Sequence, residues 1–253
     1  MTYPIELRHV GKSFGGIQAL ADVSAQVREG EVYGIIGPNG AGKTTLLNLM
    51  SGLYQGYEGS IRLLGSEIST LRTYQISRLG MARTFQNIRL FSELSVLDNV
   101  LVGLPEVTTR PMSSFFRYVL PSVRRSVQQE AEQWLEFMGI ADKKHMAATA
   151  LPYGDQRRLE IARALAVRPK VLLLDEPAAG MNEKETESLA QDIQKVRKIV
   201  PTIVLVEHDM SFIKAVAERV LVLDFGKKLV EGQPEQVLRD PKVVEAYLGR
   251  EET

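Results

Sequence analysis

The chain has 253 residues, 44% hydrophobic and 25% charged, which is the composition of an ordinary globular protein at the upper length of a single domain. Lys plus Arg equals Asp plus Glu at 31 each, so no overall positive field points to nucleic acid. Cysteine is absent, which excludes disulfides and thiolate catalysis and fits a reducing compartment. The N-terminus, M-T-Y-P-I-E-L-R-H-V, is no secretory signal, and no apolar run is long enough to cross a membrane.

In chain order, Ile5 to Val10 and Val23 to Val27 alternate as strands of a small antiparallel sheet, with Gly15-Gly16 between them. Phe14, read from the residues alone, is better explained as a core aromatic than as a ligand contact. An apolar run from Val32 to Ile36 then leads into G-P-N-G-A-G-K-T, where Gly37, Gly42, Lys43 and Thr44 fill every fixed position of the phosphate-loop pattern and Pro38, Asn39, Gly40 and Ala41 its variable ones. Leu46, Leu49, Met50 and Leu53 follow at helical spacing, so the loop sits where a strand becomes a helix. The glycines bring successive N–H groups toward one point, and the positive end of the helix attracts the same anion. Lys43 reaches the β- and γ-phosphates, Thr44 offers a hydroxyl to Mg²⁺, and Thr45 is a further phosphate donor.

Ile61 to Leu64 reads as a short strand ending at Gly65-Ser66. In A-R-T-F-Q-N-I-R-L-F, Ala82 to Phe91, Gln86 ends a β-forming stretch with its amide oxygen available to a metal, although one glutamine is ordinarily a surface polar group. From Ser92 to Ala150 the pattern turns to helices and loops. Val127, Ala131, Trp134, Leu135 and Met138 mark an amphipathic helix closed by Gly139. The basic and aromatic group Arg110, Phe115, Phe116, Arg117, Arg124 and Arg125 suits a membrane surface or partner, or more simply a solvated face over an apolar patch. L-P-Y-G-D-Q-R-R-L-E-I-A-R-A-L, Leu151 to Leu165, predicts a helix starting near Asp155 with Tyr153-Gly154 at its positive end.

V-L-L-L-D-E-P, Val171 to Pro177, is the uninterrupted apolar run of a buried parallel strand, and it ends in two carboxylates. Asp175 continues the strand and suits Mg²⁺; Glu176 faces elsewhere and suits deprotonation of a water attacking a γ-phosphate. A helix carrying Leu189, Ile193 and Val196 leads to another apolar strand, Thr202 to Val206, which ends at Glu207-His208-Asp209. Alone, His208 is divided evenly between a structural residue and one acting at the phosphate. A hairpin around Gly226 follows. Asp240-Pro241 then caps a last helix with Val243, Val244, Tyr247 and Leu248 inward and Gly249 at its end.

In this order and spacing, the phosphate loop, Gln86, Leu151 to Gln156, Asp175-Glu176 and His208 resemble the nucleotide-binding subunit of an ABC transporter over nearly the whole chain. A-R-T-F-Q-N-I-R-L-F, D-E-P-A-A-G-M-N and the ending E-A-Y-L-G look most like the ATPases of branched-chain amino acid importers. The resemblance implies an α/β fold: a P-loop NTPase core of RecA type with a mixed sheet, an antiparallel β subdomain, and a helical subdomain at about 92–165 inserted in one domain spanning 1–253. It implies ATP and Mg²⁺ as ligands. It also implies a head-to-tail dimer with a second ATPase subunit, identical or related, in which Tyr153, Gly154 and Asp155 meet the partner's nucleotide. Two membrane permease subunits and, indirectly, a substrate-binding protein complete the partners, at the inner face of the cell membrane; nucleic acid is not among them. By position, Phe14 stands where an aromatic stacks on adenine, Gln86 at Mg²⁺ and the signal to the permeases, Glu176 at the general base, and His208 at the γ-phosphate.

Three positions depart from the family pattern. Pro152 replaces a serine, removing a hydroxyl and an N–H; Asp155 replaces a glutamine; Asn182 replaces an aspartate. A composite site built on this signature is therefore expected to be weak, or better fitted to a non-identical partner. Import of urea or amides and export of a lipid share the same motifs. A DNA-repair or translation ATPase calls for tandem sites, a coiled-coil insertion or a basic surface, none of which is in the sequence. A regulatory GTPase calls for a guanine-reading N-K-x-D segment, also missing.

Overall fold

The alternation of the first two strands runs further than the pattern predicts. β1 (Ile5–Phe14) and β2 (Ile17–Val27) pair antiparallel around Gly15-Gly16, and bulges between Leu7 and Lys12 carry the pairing past Val10. The computed structural model describes residues 3–108 and 121–248; Arg110, Phe115, Phe116, Arg117 and Gly249, singled out above, lie outside them.

β3 (Val32–Ile36), wholly buried, feeds through the glycine loop into α1 (Lys43–Met50). β4 (Glu58–Leu63) and β5 (Ser66–Glu67) complete a four-stranded antiparallel sheet in the order β2-β1-β4-β5. The strand expected at Ile61 to Leu64 thus begins earlier and stops one residue sooner, because Leu64 takes φ +50° and turns the chain. α2 (Thr73–Leu79) precedes β6 (Met81–Arg83). Gln86 therefore lies beyond a strand that has already ended at Arg83, not at its tip.

The helices α3 (Val96–Leu101), α4 (Pro105–Thr108), α5 (Pro121–Phe137) and α6 (Tyr153–Ala166) separate β6 from β7 (Val171–Asp175), and α3, α5 and α6 pack on one another. Gly139, at φ +71°, stops the chain just beyond α5 as expected. α6 begins two residues before Asp155, since Pro152 (φ −55°, ψ 153°) suits the capping position and its missing N–H would be unsatisfied there anyway. α7 (Glu183–Val196) is capped by Asn182, which accepts from Glu185 N–H at 3.1 Å while Glu185 accepts from Asn182 N–H at 3.0 Å. β8 (Thr202–Val206), α8 (Met210–Val216), the hairpin β9 (Arg219–Asp224) and β10 (Lys227–Gly232), α9 (Pro234–Val237) and α10 (Pro241–Leu248) follow.

The second sheet has six strands in the order β10-β9-β3-β8-β7-β6, parallel except for β10. Alternate residues of its inner strands enter two cores. Ile36, Leu172, Leu174, Ile203 and Leu205 join α3, α5, α6, α7 and α8 on one face. Ile35, Leu173, Val204 and Val206 join α1 and the antiparallel sheet on the other. In the last helix only part of the expected inward face is buried: Val243 is, whereas Val244 is 41% and Leu248 60% exposed. Tyr247 is partly buried against the same core as Val243, so the contact runs through these two residues one turn apart while Val244 and Leu248 face solvent. Among the described residues no helix is long and apolar enough to cross a membrane.

Candidate active site

Register brings the predicted residues to one edge. Asp175 pairs with Val206, and Val206 with Ile35, so the carboxyl ends of β7, β8 and β3 lie side by side. From them emerge Glu176, Glu207-His208 and the glycine loop, the place where open parallel sheets bind ligands. Gly37 takes φ +149°, and a Cβ there would fall 2.1 Å from the Leu223 carbonyl oxygen of β9. Gly42 takes φ +100° against the Ala19 carbonyl and Leu20 of β2. Only glycine satisfies both positions. Lys43 is buried, and its Nζ donates to the carbonyls of Gly37 at 2.6 Å and Pro38 at 3.0 Å, which places the cation inside the loop. The packing of Ala19 and Leu20 on Gly42 also sets the tip of the first hairpin beside the loop. There Phe14 is exposed, not the core residue its type alone suggests, with Tyr54 edge-on at 5.2 Å and the Lys12 ammonium 4.9 Å from its ring.

Glu176 adopts φ +44°, a rare conformation for a residue with a side chain, while its N–H is held by the Val206 carbonyl at 2.9 Å. Its Oε2 accepts from Gln86 Nε2 at 2.8 Å and lies 3.8 Å from His208 Nδ1. Three residues far apart in sequence thus meet at one carboxylate. Asp175, buried at the strand end, accepts at Oδ2 from Arg83 Nη2 at 2.8 Å.

The segment at the start of α6 faces elsewhere. Tyr153 donates its hydroxyl to the Ala179 carbonyl at 2.9 Å, and Gly154 lies against Glu185. The Asp155 carboxylate is turned inward, bonded to Lys143 Nζ and, at 3.1 Å, to Arg158 Nη1. Arg158 continues to Asp192 at 2.8 Å and Ser188 at 2.6 Å. The Lys143 hydrogen bond pushes that lysine above its ordinary range. The contacts of Tyr153 and Gly154 thus run to the segment after Glu176 and to α7, whereas the Asp155 carboxylate is taken up by Lys143 and Arg158.

The sequence pattern of the family described as ABC transporter matches residues 20–179, more than half of the chain. The chain belongs to the ABC transporter family. The pattern described as branched-chain amino acid ATP-binding cassette transporter matches residues 227–253. The high-affinity branched-chain amino acid transport ATP-binding protein BraF of Pseudomonas aeruginosa is 42% identical over 98% of this chain and 99% of its own length. LivG of Escherichia coli, of the same description, is 42% identical over 93% of this chain and 94% of its length. Among solved structures, the ADP conformation of an ABC transporter cassette aligns with a TM-score of 0.86 at 30% identity, covering 98% of this chain and 100% of that one. A dimeric, post-hydrolysis cassette bound to ADP and Pi aligns at 0.76 and 27% identity, covering 91% and 98%. As a member of this family the chain is a nucleotide-binding ATPase subunit of a transporter, with the α/β architecture the resemblance led us to expect.

The ABC site also depends on residues that motif reading passes over. Arg157 and Glu160, on α6, form an ion pair at 2.6 Å with side chains 0% and 2% exposed. Arg157 donates to the carbonyls of Phe85 at 2.8 Å and Gln86 at 2.9 Å, and Glu160 accepts from the N–H groups of Phe85 and Arg89 at 3.3 Å. That pair holds the segment that presents Gln86. Glu207 is fully buried and accepts from Ala178 N–H at 2.8 Å and from its neighbour His208 N–H at 3.1 Å. Burial pushes its carboxyl above the usual range, partly offset by those N–H groups. A groove of about 520 Å³ opens beside the Gln86 segment, lined among others by Arg83, Phe85, Arg89, Phe91 and Arg163. Burial lowers the Arg163 pKa, and its guanidinium stands 5.4 Å from the Phe91 ring.

Proposed function

We propose that this chain is the ATP-hydrolysing subunit of an importer for branched-chain or other hydrophobic amino acids. It would be peripheral on the inner face of the membrane and act with a second ATPase subunit, two permeases and a substrate-binding protein. The observation that carries the catalytic part is Glu176, held in a left-handed backbone conformation beside the phosphate loop with Gln86 on one carboxylate oxygen. The substrate class rests on the 42% identity to branched-chain amino acid transport proteins over nearly the whole chain. We read the helices from about residue 92 to 165 as a subdomain inserted in the core, and the groove beside Gln86 as the seat of a permease segment.

In this reading the N–H groups of Gly40 to Thr45 and the Lys43 ammonium bind the triphosphate, and Phe14 stacks on the adenine. Thr44, Gln86 and Asp175 offer a hydroxyl, an amide oxygen and a carboxylate, hard oxygen donors that suit Mg²⁺. The fit has support in the geometry: Gln86 spends its N–H on Glu176 and keeps its carbonyl, and among the described residues Asp175 Oδ1 accepts no hydrogen bond. No cluster of three acidic, His or Cys residues occurs among them, so the ion would be completed by phosphate oxygens and water. When bound, Mg²⁺ withdraws charge from the phosphates. Glu176 takes the proton of the attacking water at the oxygen Gln86 leaves open, and His208 reaches the γ-phosphate from the end of β8. Tyr153 and Gly154 of one subunit close over the partner's nucleotide, with Asp155 setting the start of α6 in place.

Glu176→Gln tests this. Phosphate release should fall by about a hundredfold or more while ATP is still bound, and the variant should dimerise on adding Mg²⁺ and ATP. Hydrolysis at the wild-type rate would sink the assignment.

A further inference from the structure

Asp175 is buried, and its charge is met by Arg83, a residue to which the sequence reading assigned no role. Arg83, at the end of β6, is 7% exposed at its side chain. Its Nη2 donates to Asp175 Oδ2 at 2.8 Å, while Nη1 donates to Asn48 Oδ1 and Ser51 Oγ, both at 2.7 Å, and lies 3.4 Å from the Leu47 carbonyl. Nε is buried without a partner, and the Phe85 ring lies 5.0 Å from the guanidinium carbon. The guanidinium is therefore pinned on one side to α1, the helix that begins with the phosphate loop, and on the other to the carboxylate of β7.

We propose that Arg83 is a positioning residue for the metal site: it fixes the Asp175 carboxylate relative to α1 so that Oδ1 faces the Thr44 hydroxyl and the phosphates. This rests on the reading of Asp175 as an Mg²⁺ carboxylate. A planar fork is needed because two anchors on opposite sides must be held at once; a lysine offers a point charge without that geometry. Bonds to Asn48 of α1 and to Ser51, which caps it, make the guanidinium a fixed spacer between helix and strand. A carboxylate free to turn would offer the ion a variable oxygen, and groups that orient metal ligands in this way are worth about ten- to a hundredfold in metal affinity.

The test is a fluorescence titration of the purified chain with a fluorescent ATP analogue, first in EDTA and then against increasing Mg²⁺. We expect Arg83→Met to bind the analogue in EDTA within about twofold of wild type and to need about ten- to a hundredfold more Mg²⁺ for the metal-dependent enhancement. Asp175→Asn should show the same displacement, and the double variant should be no worse than Asp175→Asn alone, because the two residues act through one contact. Equal weakening with and without Mg²⁺, an unchanged Mg²⁺ midpoint, or additive effects would each overturn the proposal. Should Arg83→Met fail to fold, Arg83→Lys is read by the same criteria, with a displaced midpoint supporting the proposal and an unchanged one overturning it. A wild-type protein that binds nucleotide with no Mg²⁺ dependence would overturn the Mg²⁺ reading itself.

Discussion

Glu207 shows how a site residue is set by its surroundings. Its carboxylate has no exposed surface, and although backbone N–H groups and the His208 ring 3.8 Å away favour its charge, burial opposes ionisation more strongly and the pKa is raised. A raised folded-state pKa means that Glu207 favours the folded protein most below the unfolded value of about 4.3 and loses that contribution as pH rises through the folded value. Glu207→Gln keeps an acceptor for Ala178 N–H but cannot ionise. Melting curves from pH 5 to 8 should therefore give a variant-minus-wild-type Tm difference that grows with pH; a flat difference would refute the sign. The site was legible at this scale wherever chemistry is contiguous, as from Gly37 to Thr44 and at Asp175-Glu176. Glu207, one residue from His208, was read past because its partner Ala178 lies 29 residues away. Arg83 was hidden likewise, its carboxylate standing 92 residues on.

Among the elements, α6 does more than its apolar spacing suggests. Its Leu159, Ile161, Ala162, Leu165 and Ala166 fall at helical spacing, and they are buried. Arg157 and Glu160, charged residues of the same helix, are buried too, because the polar backbone of residues 85 to 89 packs there and needs partners. Local periodicity has no way to register a backbone segment arriving from another part of the chain. Removing one member leaves the other charge buried: Arg157→Met should lower the unfolding free energy by about 3–5 kcal/mol, measured by denaturant titration. Arg157→Met with Glu160→Leu should recover part of that loss, since replacing both members leaves no unpaired charge. The double variant should still hydrolyse ATP slowly, because nothing then fixes the Phe85 and Gln86 carbonyls and the amide that meets Glu176 is free to wander. Wild-type hydrolysis by a folded double variant would show that the clamp has no role in presenting Gln86.

For the whole molecule, the sequence placed both sheets, the loop and the carboxylate edge, but said least about how two copies would meet. Pro152 is where that question can be tested. It caps α6 with no side-chain hydrogen bond, and lacking an N–H it offers an approaching phosphate nothing at the position where the family pattern has serine. Asn182 and Asp155, the other departures, are absorbed within the chain by the α7 cap and by Lys143 and Arg158. The deficit is thus confined to one position of the composite site this chain would offer a partner. A lost bond to a charged group is worth about 1.5–3 kcal/mol, which at about 1.4 kcal/mol per factor of ten is roughly a tenfold to hundredfold loss of rate. In a symmetric dimer both sites suffer that loss. With a non-identical subunit carrying the serine, the nucleotide on this chain's own phosphate loop would be closed over normally. We therefore predict that the purified chain hydrolyses ATP at least about tenfold more slowly than the mixed assembly, and that Pro152→Ser narrows the gap in the pure protein. A pure wild-type preparation as fast as the mixed assembly would mean that other groups at the start of α6 replace the missing donors, and that the chain is a sufficient partner for itself.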